Sequence, residues 1–289
     1  MAQMLDVDEP VVEDLRAALS HVDLDEGGVE LCADAEDGQW IVPVVCPLAV
    51  PDVGSGRFTV LEVMVFELRD QASSAAADKA TGGEFLAHES LATVVWPSSV
   101  AVAEELARGA AGLRGLKVLE IGAGCGLGAL TACRLGAEVL ATDASAVALR
   151  LCEDGARVAT RVEGAGGFRL RFLDVFDLIE VENALADFRP DLILCSDVLY
   201  DGKMARAVAQ VLLAACRGKH GAAALVADPG REARAEFLAE LAEEPRWRAL
   251  AFEDHKVALG PLMDGRKGAP KRHDADEVAV IGMLALGPH

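Results

Sequence analysis

The chain has 289 residues, 52% hydrophobic and 26% charged, with a net charge of −20 and a pI near 4.6. That composition is globular and excludes disorder as the dominant state; it suits one large α/β domain or a core domain with an N-terminal extension. An acidic surface repels phosphate backbones, which argues against nucleic acid as a partner; it suits a basic protein or peptide, or serves solubility alone.

The N-terminus, MAQMLDVDEPVVEDL, has no basic n-region or apolar h-region, so it does not read as a signal peptide. No apolar run approaches the roughly 18 residues that span a bilayer, so no membrane association is expected. Residues 1–37 hold twelve acids against the single base Arg16. They either dock basic targets or stay partly disordered. Cysteines at 32, 46, 125, 133, 152, 195 and 216 form no C-x-x-C pair, and the six histidines show no ligand spacing. This reads as a cytoplasmic chain with reduced thiols and no metal.

From residue 40 the pattern turns β-branched. WIVPVVCPLAV and RFTVLEVMVFEL flank the turn-forming PDVGSG and predict a β-hairpin over residues 38–70, placed beside the substrate entrance. The small, polar stretch 70–83 reads as a flexible loop. Near residue 117 strands begin to alternate with helices. KVLEI, EVLATD, FRLRFLDVF, DLILCSDVLY, AAALVAD, RWRALAFE and EVAVIGMLAL read as strands. LGALTACRLG, the segment after Ser145 (a plausible N-cap), 205–217 and 231–243 read as helices. Such alternation implies βαβ units, a parallel sheet and right-handed crossovers. The fold class is therefore α/β and doubly wound, with residues 1–85 as an acidic segment and hairpin extension and residues 86–289 as the main domain.

The first of these strands runs into Glu120-Ile-Gly-Ala-Gly-Cys-Gly-Leu-Gly128. Gly122, Ala123, Gly124 and Gly126 follow a strand and open a helix, in the crevice where doubly wound sheets bind ligands. Gly124, Gly126 and Ala129 also fit the dinucleotide pattern G-x-G-x-x-G/A, so the loop alone leaves two cofactors open. Asp143, at the end of the next strand, can accept both ribose hydroxyls of either one. Asp174 and Val175 lie in LDVFD after the third strand, where Val175 offers an apolar wall for a base. The fourth strand, buried and apolar, delivers Ser196, Asp197 and Tyr200 to the same edge.

Three stretches together resemble the seven-β-strand methyltransferase family 16, best known for protein-lysine N-methyltransferases: LEIGAGCGLGAL (119–130), SDVLYD (196–201) and TVVWPSSVAVAEEL (93–106). LVADPGR (225–231) is similar to the branch acting on a mitochondrial electron-transfer flavoprotein. The likeness covers roughly residues 85–235. It implies S-adenosylmethionine as cofactor, a seven-stranded sheet with an antiparallel strand in its last hairpin, and an exposed loop at 261–277 within that hairpin. It further implies cofactor contacts at Glu120 in the E-x-G-x-G-x-G motif, an adenine contact at Asp174, and Trp96 lining the cofactor site. Asp197 and Tyr200 match the D/E-x-x-Y/F signature and become the catalytic pair.

The expected reaction is methyl transfer to a lysine of a protein substrate, by a monomer. A lysine of ordinary pKa costs about 4–5 kcal/mol to deprotonate at pH 7. A desolvated slot lowers that cost, and Asp197 and Tyr200 would orient the amine. A small-molecule N- or O-methyltransferase, a dinucleotide-dependent oxidoreductase and a non-catalytic binding scaffold are the competing readings, since fold alone does not fix function.

Overall fold

The computed structural model describes residues 39–52, 57–70, 92–216, 222–242, 247–258, 263–264 and 278–288. The acidic residues 1–37, the predicted loop at 70–83 apart from its first residue, and the domain boundary at 85/86 lie outside the described residues.

The two β-branched runs form β1 (Gln39–Pro51) and β2 (Phe58–Asp70), paired antiparallel along their whole length from Gln39–Asp70 to Pro51–Phe58. Then follow α1 (Pro97–Arg108), β3 (Lys117–Ile121), α2 (Leu127–Arg134), β4 (Glu138–Asp143), α3 (Ala146–Ala159) and β5 (Phe168–Phe172). The second half holds α4 (Leu178–Phe188), β6 (Leu192–Ser196), α5 (Gly202–Cys216), β7 (Ala223–Asp228), α6 (Ala233–Ala242), β8 (Trp247–Ala258), β9 (Met263–Asp264) and β10 (Val278–Pro288). No described helix is long and apolar enough to cross a membrane.

Seven strands make one sheet in the order β5-β4-β3-β6-β7-β10-β8. From β5 to β7 all neighbours are parallel, and β10 runs antiparallel between β7 and β8. The chain winds outward from β3 in both directions, so β3 and β6 flank the point where strand order reverses. A crevice must open there at the carboxyl ends, because the crossovers leave on opposite faces.

Side chains alternate between two apolar layers, as the period of a strand requires. Val118 of β3 and Leu194 of β6 face the layer of α1–α3, while Leu119 and Ile193 face the layer of α4–α6. Both faces are covered, which is why these strands read as continuous apolar runs.

The hairpin expected over 38–70 is present and packs against the helices. Its Val44, Val45, Val63 and Val65 belong to the same apolar core as Leu127, Leu130 and Leu151, so it forms a further layer outside α1–α3. Arg134 donates to the Glu62 carbonyl at 2.7 Å and ties α2 to β2. Of the loop expected at 261–277, only residues 263–264 are described, and they form a strand. Met263–Asp264 pairs antiparallel with Val44–Val45 and adds a third strand to the hairpin sheet. The sequence reading placed no helix between the third and fourth main strands, yet α4 fills that crossover. Its Asp177 accepts from the Ile179 and Glu180 amides at 3.1 Å each, and Val181, Ala184 and Phe188 form its buried stripe.

Candidate active site

The glycine loop is shaped by contacts that no side chain could replace. Gly122, Gly124 and Gly126 have φ of 64°, 53° and 79°. A Cβ on Gly122 would sit 2.6 Å from the Val198 side chain, and one on Gly124 would sit 3.2 Å from the Ala92 carbonyl. The loop is therefore pressed between β6 and the segment leading into α1. Its own backbone forms the floor of a cavity of about 480 Å³, within the usual range for a small-molecule or cofactor site.

The carboxyl ends of the central strands supply the walls. After β3 come Gly122, Ala123, Gly124 and Gly126; after β4 stands Asp143; after β5, Asp174 and Val175; after β6, Ser196, Asp197 and Tyr200. Trp96 closes the cavity from the start of α1. The residue before a proline is restricted to extended backbone, and Trp96, with φ −99° and ψ 152°, obeys this ahead of Pro97. The sequence thus named eleven residues that converge here.

Glu120 is the exception. It is fully buried and does not line the cavity. Its Oε2 accepts from the Ala129 amide at 2.7 Å, so it caps α2 from beneath the loop. Among the described residues its Oε1 has no hydrogen-bond partner; it lies against Gly128, where a Cβ would stand 2.5 Å from it. Burial, reinforced by the charge of Asp143, pushes its carboxyl up to about 8 despite the Ala129 bond.

Asp143 holds the loop in register. Its Oδ2 accepts from the Gly124 amide and its Oδ1 from the Ser145 amide, each at 2.8 Å. Burial still raises its carboxyl above the ordinary value, with the bonds from Gly124, Ser145 and Ala144 opposing. Asp174 accepts from the Phe176 amide at 2.9 Å through Oδ1. Phe176 and Leu173 join Val175 on that wall.

A carboxylate at β4 for a diol, an apolar wall at β5 and a side-chain-free loop beneath suit a nucleoside joined to an amino-acid tail. The residues present therefore fit S-adenosylmethionine: Asp143 for the ribose, Leu173, Val175 and Phe176 around the base, and Gly122 to Gly126 under the tail.

At the other end of the cavity, Asp197 sits at φ 61°, a left-handed conformation that non-glycine residues rarely adopt. Three elements converge on it. Its amide donates to the Ala227 carbonyl of β7 at 3.0 Å. Ser98, in the first turn of α1, donates to its Oδ2 at 2.8 Å. Arg231, after β7, pairs with its Oδ1. Tyr200, 43% exposed, stands beside it on the cavity wall. Its hydroxyl pKa is raised by partial burial and by the charges of Asp201, Asp143 and Asp174, so it remains a hydrogen-bond donor at neutral pH.

Sequence reasoning missed Ser98, Arg231, Phe176 and Met204, all but Ser98 of which line the cavity. The sequence predicts a helix from Arg231 onward. Instead Asp228 ends β7 and accepts from the Gly230 and Arg231 amides at 2.8 and 3.1 Å, and the helix starts at Ala233. The acid-plus-glycine turn was visible in the sequence; its aim at Asp197 was not.

Residues 84–244, more than half of the chain, match the lysine methyltransferase family. No curated protein matches. Among solved structures the chain is similar to magnesium protoporphyrin IX methyltransferase from Synechocystis PCC 6803 with bound S-adenosylmethionine. That likeness has 14% identity and a TM-score of 0.45, covering 71% of this chain and 81% of that one. It is also similar to ribosomal protein L11 methylase from Lactobacillus delbrueckii subsp. bulgaricus, at 20% identity and a TM-score of 0.40, covering 66% and 76%.

Proposed function

This chain belongs to the lysine methyltransferase family, and on that premise we propose that it is a protein-lysine N-methyltransferase acting on a basic protein surface. Its cofactor is S-adenosylmethionine, which supplies an electrophilic sulfonium methyl. The observation that carries the acceptor reading is the placement of Asp197 and Tyr200 together on the cavity wall. A carboxylate and a phenol offer one acceptor and one donor–acceptor to an amine, which suits orientation of its lone pair.

The test is methyl transfer from radiolabelled S-adenosylmethionine into cell extract, resolved by gel with and without protease. A protease-sensitive band carrying methyl-lysine supports the proposal; label confined to small molecules overturns it. Asp197→Ala should lower transfer about a hundredfold, the usual scale for a lost positioning group. Tyr200→Phe should lower it about fivefold to tenfold, as loss of one hydrogen bond. Both variants should keep cofactor affinity within about threefold, since Asp143 and the glycine loop are untouched.

A further inference from the structure

Asp197 is more heavily restrained than orientation of an acceptor alone requires. Its backbone is held in the left-handed region, where a non-glycine residue persists only if its surroundings over-determine it. The restraint comes chiefly from a turn 31 residues further on. Arg231 reaches from that turn to Asp197 with one guanidinium nitrogen and to Asp228 Oδ2, at 3.4 Å, with another. Asp228, almost fully buried, is in turn held by Arg234, whose Nε donates to it at 3.0 Å. Two carboxylates and two guanidiniums therefore form one balanced cluster, and Arg231 faces the cavity.

The chemistry gives this balance a purpose. A bare carboxylate beside an amine favours the ammonium, which cannot accept a methyl group. We propose, resting on the lysine reading above, that Arg231 is a positioning residue that cancels the charge of Asp197. The carboxylate then steers the acceptor amine without holding its proton. A carboxylate has about four lone-pair sites; Ser98 and Arg231 use one each, so sites remain for the amine. Arginine suits the role because it stays charged and its planar fork reaches two carboxylates at once. The other charged or titratable groups around the slot are Tyr200 and Asp201 after β6, Asp143 after β4, Asp174 after β5, and the Asp228–Arg234 pair. Tyr200, Asp201, Asp143 and Asp174 carry no positive charge to offset Asp197, and Arg234 is engaged with Asp228, which keeps that partner when Arg231 is replaced.

The test is the pH profile of kcat for the full chain on the protein it labels in extract, with the methylated amino acid identified by mass spectrometry. In Arg231→Gln, Asp197 is uncompensated, so the limb that rises with pH should move up by about one unit. Transfer should fall about tenfold at pH 7 and recover by about pH 9. Arg231→Lys should leave the limb in place. Asp197→Asn leaves the guanidinium uncompensated and should move the limb to lower pH, at a reduced rate throughout. The double variant should return it close to the wild-type position. Cofactor affinity reports folding; if Arg231→Gln fails that check, the direction of the limb in Asp197→Asn decides. A loss by the same factor at every pH, or a limb in Asp197→Asn that stays or rises, overturns the role. A limb that moves as expected while the methyl sits on a residue other than lysine overturns the lysine reading and keeps this one.

Discussion

At Glu120, burial outweighs every other influence on the carboxyl. The group bonds the Ala129 amide, yet burial still takes its pKa to about 8 from an ordinary 4.5. The folded chain therefore keeps a proton that the unfolded chain has released. Stability must fall as pH rises from about 4.5 through about 8, because the unfolded state binds fewer protons across that window. Glu120→Gln removes the titration while keeping the shape. Urea unfolding of both proteins between pH 5 and pH 8.5 should show the wild type losing a few kcal/mol relative to the variant; parallel curves would refute the assignment. The residue was legible in the sequence as a carboxyl at the end of the first strand. What it does was not, because a contact with the cofactor and a cap beneath the loop need the same residue type at the same position. Only burial separates the two.

Among the elements, the hairpin tests how far local propensity decides. Gly155 lies within α3, where alanine would ordinarily add about 1 kcal/mol of helix stability. β2 and α2 close over that position instead. A Cβ there would lie 2.6 Å from Leu130 Cδ1 and 3.4 Å from the Met64 carbonyl. Leu130 is fully buried, so moving it disturbs the core around it. Gly155→Ala should therefore destabilise the protein by about 1–2 kcal/mol, the usual cost of overpacking, and lower its Tm; a raised Tm would mean that the hairpin docks loosely. The hairpin also reaches the site indirectly. Glu67 of β2, fully buried, accepts from the Val95 amide at 2.6 Å, one residue before Trp96. The strands and most helices were readable because their periods are local. The helix α4 was missed although Asp177 and the spacing of Val181, Ala184 and Phe188 announced it. The strand β9 could not be read, because a two-residue strand exists only through its partner.

For the whole molecule, charge is the property that sequence states most directly. A chain of net charge −20 should attract a basic substrate and repel a polyanion. Raising ionic strength from about 0.05 to 0.5 M shortens the Debye length several-fold. Methylation of the protein substrate should then slow about tenfold through KM, while cofactor affinity changes by less than about twofold. A KM indifferent to salt would place the recognition in apolar contacts instead. The sequence by itself determined the α/β winding, the glycine loop, and Asp143 and Asp197 as strand-end carboxylates, since each is written in residues close together along the chain. The tertiary structure decided that Ser98 and Arg231 meet Asp197, that Glu120 lies beneath the loop, and that the hairpin packs on the helices. Those contacts join residues 34 to 99 positions apart or depend on what covers a side chain. A local pattern carries no record of either, because each is set by how distant segments pack.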